Sequence, residues 1–96
     1  MLTPLNPEEV QSNLSKLLDW SYSGDAITRT FRFKSYMDGI AFVNRVANAA
    51  EATDHHPDMM LGYRRVIVTL TTHDANGITQ KDFALAAEID GLVQID

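Results

Sequence analysis

The chain has 96 residues, 45% of them hydrophobic and 22% charged, which suits one small globular core and leaves no room for a second. Its net charge of −5 comes with scattered cations, Arg64–Arg65 being the only adjacent pair, and this argues against a nucleic-acid backbone or an anionic membrane as partner. Cysteine is absent, so disulfides and thiolate metal sites are excluded. No apolar run approaches the roughly 20 residues of a membrane span. The opening MLTPLNPEEV has neither the basic nor the apolar region of a secretory signal. The expectation is a soluble, cytoplasmic protein with residues 1–96 forming a single domain.

The first helix is announced by NPEEV: Asn6 can cap, Pro7 fits the first helical position, and Glu8 and Glu9 suit its positive end. It is expected to run to about Leu18 with Val10, Leu14, Leu17 and Leu18 as its apolar stripe. WSYSGDAITRTFRF reads as a hairpin. Trp20 and Tyr22 sit on a short strand, Ser23-Gly24-Asp25 turns, and Ile27, Phe31 and Phe33 share one face of the next strand, a row that Arg29 breaks. A second helix opens at Ser35-x-x-Asp38 and carries Ile40, Val43, Val46, Ala47 and Ala50. It ends near Thr53, because the residues before Pro57 are pushed out of helical geometry.

A short strand from Met59 to Tyr63 and a longer one from Arg65 to Thr72, rich in β-branched residues, come next. The third helix has the clearest start. Thr79-x-x-Asp82 is a capping-box pair, Ile78 and Phe83 stand at the positions of a hydrophobic staple, and Ala86, Ala87 and Asp90 follow at helical spacing. The order α-β-β-α-β-β-α implies a two-layer α+β domain, a four-stranded antiparallel sheet with helices packed on one face. A sheet covered on one side only leaves its other face for a partner, so a homo-oligomer is expected.

All three histidines fall between positions 55 and 73. If the second helix reached His55, Glu51 would lie four residues earlier on the same face and could fix its tautomer, and Asp54 could serve His56 in the same way. His73 ends the long strand and Asp82 begins the last helix, so a β-to-α connection can bring them together. Imidazoles beside carboxylates suit two chemistries. One is proton transfer near neutral pH, where an unperturbed histidine pKa of about 6.5 is well placed. The other is a zinc or non-haem iron site, although HExxH is missing and adjacent histidines in an extended segment point apart. Structural readings compete with both: the pair can complement a negative helix end, and Asp82 can serve as a cap alone. Tyr63, Trp20, Met59 and Met60 read as sheet, core or interface residues, and Arg64 and Arg65 as solvated or paired with acids across a dimer. There is no glycine-rich phosphate loop and no Ser or Cys nucleophile set beside a histidine.

Read together, Glu51, His55, His56, Pro57, Tyr63, His73 and Asp82, in EATDHHP, TTHD and GITQKD, resemble the signature of the pterin-4a-carbinolamine dehydratases. The resemblance is dense over about a third of the chain, and the element order extends it over nearly all of it. It implies loss of water from a 4a-hydroxytetrahydropterin to give the quinonoid dihydropterin, in support of pterin recycling for aromatic amino-acid hydroxylation. It also implies His55, His56 and His73 as catalytic residues, and it places Glu51, Asp54, Pro57, Tyr63 and Asp82 at the substrate. His56 and His73 would lie nearest the 4a-hydroxyl, and His55, oriented by Glu51, would bind the pterin or accept the ring-nitrogen proton. No metal or cofactor is implied, and members form homodimers or homotetramers. Many similar members carry tryptophan where this chain has Met59, which bears on pterin affinity. The alternative is a non-enzymatic oligomerisation or transcriptional coactivator module on the same fold.

Overall fold

Each of the three helices begins where a side chain can satisfy its first free N–H groups. The computed structural model describes residues 3–93: α1 is Pro7–Leu14, α2 is Tyr36–Thr53 and α3 is Gln80–Asp90. Asn6 and Thr79 form full capping boxes with Glu9 and Asp82, and the Ser35 side chain accepts from the Asp38 N–H. The strands are β1 Ser21–Ser23, β2 Ala26–Arg32, β3 Asp58–Gly62 and β4 Arg65–Leu70, with a single 3₁₀ turn at His73–Ala75. They pair antiparallel in the order β1-β2-β4-β3. The architecture is the expected two-layer α+β fold, in the expected order.

Alternation along the strands decides which side is dry. Ile27 and Phe31 of β2 stand opposite Leu70 and Val66 of β4, and all four are buried with Val68 under the helices. Phe42 of α2 lies against Phe31 and Phe33, with ring centroids 4.6 and 5.2 Å apart, and Ala86 and Ile89 of α3 close the same core. Thr28, Thr30 and Arg32 alternate onto the other, open face. Between β1 and β2, Gly24 takes φ +64° at the first loop position, as a type II′ hairpin turn requires.

Several boundaries differ from the sequence expectation. α1 stops at Leu14, not near Leu18, since Asn13 and Ser15 donate to the Glu9 and Ser12 carbonyls and Leu18 is exposed. The buried face of α2 is Gly39, Phe42, Val46, Ala49 and Ala50; Ile40, Val43 and Ala47 only flank it. Gly39 lies on this face beside Phe33, Val66 and Leu61, which a Cβ there would meet at ordinary contact distances of 3.6–3.7 Å. β3 ends at Gly62, and Tyr63 with Arg64 makes the two-residue loop to β4. β4 ends at Leu70; Thr72 then bridges to Gly77 and closes the loop that carries His73. Ala87 is exposed on α3.

Two further ties hold the layers together. Arg29 shares the core-facing row of β2, where its guanidinium stacks 4.2 Å from the Phe31 ring centroid and donates to Asp90 at 2.7 Å. The Trp20 indole donates to the same Asp90 oxygen at 2.9 Å, and Asp19 lies 3.5 Å from Arg29. At the other end, the Leu5 N–H donates to the Ile78 carbonyl, and Pro4 packs so closely on Gly77 that a Cβ there would meet it at 2.9 Å.

Candidate active site

The site begins with the way α2 ends. Asp54 adopts the left-handed conformation (φ 51°), so its N–H bonds to the Glu51 carbonyl and the His55 N–H reaches back to Ala50 at 3.2 Å. This is the Schellman closure, usually made by glycine, here made by an aspartate that tolerates left-handed backbone better than most residues. The chain therefore reverses between Thr53 and His55, and Pro57 leads it extended into β3. The adjacent histidines leave this reversal in opposite directions.

His55 turns inward. Its side chain is 13% exposed, and Nε2–H donates to Asp82 Oδ1 at 2.6 Å. Asp82 has no exposed surface, and its other oxygen accepts from the Thr72 hydroxyl at 2.8 Å and the Thr79 N–H at 2.9 Å. The Thr72 proton is committed to Asp82, so the Thr79 hydroxyl donates to Thr72 across 2.9 Å and accepts from the Lys81 N–H. Every proton in this buried chain is thereby assigned. A neutral His55 holds its proton on Nε2 and leaves Nδ1 unprotonated.

His56 turns outward, 53% exposed, and its Nε2 lies 2.5 Å from Glu51 Oε2. The expected pairing is thus exchanged: Glu51 serves His56 rather than His55, and Asp54 serves neither ring. The i, i+4 argument fails because the helix stops two residues short of His55, and the reversal carries the next residue round to Glu51. His73, in the 3₁₀ turn after β4, completes the group. Asp54, His55, His56, Thr71, Thr72, His73, Asp74 and Lys81 line one cleft of about 240 Å³.

Of the residues singled out in the sequence, the cleft gathers the three histidines and Asp54, with Asp82 buried behind them and Glu51 at the rim through His56. Tyr63 is not among them; it sits in the β3–β4 loop, 73% exposed. Met59 packs against the core opposite Val68. Thr72 and Lys81 were missed. Thr72 follows the long apolar strand and gave no signal of its own, whereas Lys81, beside the capping Asp82, could have been found by noting which side of the first turn faces the histidine loop. Among the described residues no three His, Asp or Glu side chains are arranged to hold a metal ion, and no helix is long and apolar enough to cross a membrane.

Fold and site together define a small α+β domain with an imidazole-lined cleft backed by a buried carboxylate. The family model of pterin 4 alpha carbinolamine dehydratase matches residues 3–92, and the chain belongs to that family of hydro-lyases. A protein of Picosynechococcus sp. with the provisional name pterin-4-alpha-carbinolamine dehydratase is 49% identical over 92 residues, covering 96% of this chain and 100% of its own length. One of Roseiflexus sp. with the same provisional name is 46% identical over 93 residues, covering 97% and 100%. A crystal structure of a transcriptional coactivator/pterin dehydratase from Brucella melitensis superposes with a TM-score of 0.92 at 35% identity, covering 96% of this chain and 100% of that one. A pterin dehydratase-like protein identified as a RuBisCO assembly factor in the alpha-carboxysome matches with a TM-score of 0.66 at 26% identity, covering 80% and 89%.

Proposed function

We propose that this chain, acting as one domain, removes water from a 4a-hydroxytetrahydropterin by histidine acid–base catalysis. The C4a–O bond breaks, the departing hydroxyl takes a proton, and a ring nitrogen loses one, so that water and the quinonoid dihydropterin are the only products. The observation that carries the reading is the convergence of three imidazoles on one cleft, with two of them fixed by carboxylates of opposite exposure.

His55 suits the base. Its Nε2–H is held by Asp82, its Nδ1 is free of a proton, and the buried carboxylate stabilises the imidazolium that forms when the ring-nitrogen proton arrives. His56, steadied by Glu51, and His73, which makes no side-chain hydrogen bond among the described residues, suit the acids that protonate the 4a-hydroxyl of either stereoisomer. Asp54 and Pro57 border the substrate. The reaction as drawn uses no cofactor, and its place would be pterin recycling beside an aromatic amino-acid hydroxylase in the cytoplasm, by a homo-oligomer of this chain.

The test is the dehydration rate of freshly generated 4a-hydroxytetrahydropterin with and without the purified protein. Acceleration is expected, and His56→Ala and His73→Ala should each reduce turnover by about 10²–10⁴-fold with the fold intact. Full activity in both variants would remove those residues from the mechanism. A second reading is favoured by the descriptions of the two solved structures, one a coactivator as well as a dehydratase and the other an assembly factor. In that reading the fold serves as a protein-binding module. Binding of a pterin, seen as fluorescence quenching, separates the two, since the module reading predicts none.

A further inference from the structure

His55 and Lys81 line two spaces. One is the histidine cleft; the other is a hollow of about 170 Å³ enclosed by Thr53, His55, Lys81, Ala84, Leu85 and Glu88. Lys81, Ala84, Leu85 and Glu88 recur at helical spacing and form one face of α3. The remaining wall is Thr53, the last residue of α2, and His55 after the reversal. Between two charged side chains the lining is therefore apolar, with Leu85 buried and Ala84 exposed.

Neither charge is explained by stability. Lys81 stands in the first turn of α3, where the helix dipole disfavours a cation. Among the described residues neither Lys81 nor Glu88 makes an ion pair, with each other or elsewhere. The Thr53 hydroxyl proton is committed to the Ala49 and Ala50 carbonyls, so towards the hollow its oxygen can only accept. The chemistry of the dehydration says what belongs beside this wall. When the hydroxyl leaves C4a, the new double bond joins C4a to N5, so the proton lost is the one on N5. C6 is bonded to N5, and a base that reaches N5–H has the C6 substituent next to its ring. The histidine cleft alone, about 240 Å³, falls below the ~300–1,000 Å³ usual for a ligand site, and the hollow supplies further room.

We propose that the hollow seats the substituent at C6 of the pterin, and that Lys81, Ala84 and Glu88 select a short, uncharged, hydroxylated one. What enters the hollow rests on the dehydratase reading of the cleft. At ~30 Å³ for each water-sized group the hollow holds about six of them, the size of a three-carbon chain with its hydroxyls. The Lys81 ammonium, at the junction of the two spaces, donates to a hydroxyl oxygen, and the Glu88 carboxylate accepts from a hydroxyl farther along. Ala84 and Leu85 cover the carbons. A chain ending in a carboxylate or phosphate would instead bring its charge against Glu88 between apolar walls, where like charges repel more strongly than in water.

The test is calorimetry on the full chain with three 7,8-dihydropterins that differ only at C6. They carry hydrogen, a trihydroxypropyl chain, or a three-carbon chain ending in a carboxylate. The wild type should bind the hydroxylated pterin about ten-fold tighter than the unsubstituted one, and the carboxylated one more weakly than the hydroxylated. Ala84→Leu fills the hollow from an exposed helix position that suits leucine. It should weaken binding of the hydroxylated pterin about ten-fold and leave the unsubstituted one within about two-fold of wild type. Glu88→Lys should reverse the order of the hydroxylated and carboxylated chains. Turnover adds a second readout: with 4a-hydroxy substrates, Ala84→Leu should raise KM for the hydroxylated compound only and leave kcat unchanged. A damaged fold would weaken all three pterins alike, and that pattern in both variants overturns the selection. Wild-type binding of all three with equal affinity refutes the seat and leaves the dehydratase reading standing. Binding of none refutes both.

Discussion

Asp82 accepts hydrogen bonds from three donors at full burial, namely the His55 ring, the Thr72 hydroxyl and the Thr79 N–H. It is at once the helix-capping acid and the partner of a histidine, two readings that stood as alternatives in the sequence. Asp82→Ala would leave all three donors unpaired in a dry site, and we expect a loss of about 2–4 kcal/mol in urea unfolding. Asp82→Asn preserves the volume but sets an amide against donors, so turnover should fall further than stability. Equal stability of Asp82→Ala and wild type would show that the network is not closed. The histidines themselves were legible through the spaced resemblance that carries them, since the pair alone also suits a negative helix end. Their carboxylate partners were not, since Asp82 lies 27 residues from His55 and no local period connects them.

Helix starts were readable, and so was the end of α2 at Thr53 ahead of Pro57, whereas the end of α1 was not, for a physical reason. Asn6, Ser35 and Thr79 cap through side chains encoded within three residues of the helix they begin. The end of α1 depends instead on whether the Asn13 and Ser15 side chains turn back on the backbone, and the end of β4 on Thr72 finding Gly77. The buried face of α2 was legible in part: Val46 and Ala50 lie on it as expected, whereas Ile40, Val43 and Ala47 only flank it and Phe42, the bulkiest apolar side chain on the helix, was left out. At the other end of α2, Asp54 holds a left-handed conformation that glycine takes without strain. Asp54→Gly should therefore raise stability by about 0.5 kcal/mol, or ~2–4 °C in Tm. Calorimetry showing a lower Tm would mean that the carboxylate contributes more than the backbone costs. Pterin affinity of the same variant reports separately on the substrate contact assigned to Asp54.

Across the whole molecule, Arg29 joins the loop before β1, the centre of the sheet and the end of α3, through partners 61 residues away at Asp90 and next to Trp20. The sequence marked it only as an interruption of an apolar row. Its Nε is buried and makes no hydrogen bond among the described residues. Arg29→Met should cost about 1–2 kcal/mol by leaving Asp90 with the indole alone, and adding Asp90→Leu should recover part of it. A double-mutant cycle by chemical denaturation measures this; strictly additive losses would mean that the pair is not coupled. The order of elements and the two-layer arrangement were legible because capping, alternation and turn residues agree with one another along this chain. At the opposite edge of the fold, the close seat of Pro4 on Gly77 has a practical side. The residues ahead of α1 are anchored beside the closed loop that presents His73. An affinity tag fused before Thr3 would pull on that anchor, so rate comparisons among variants belong on protein from which the tag has been cleaved.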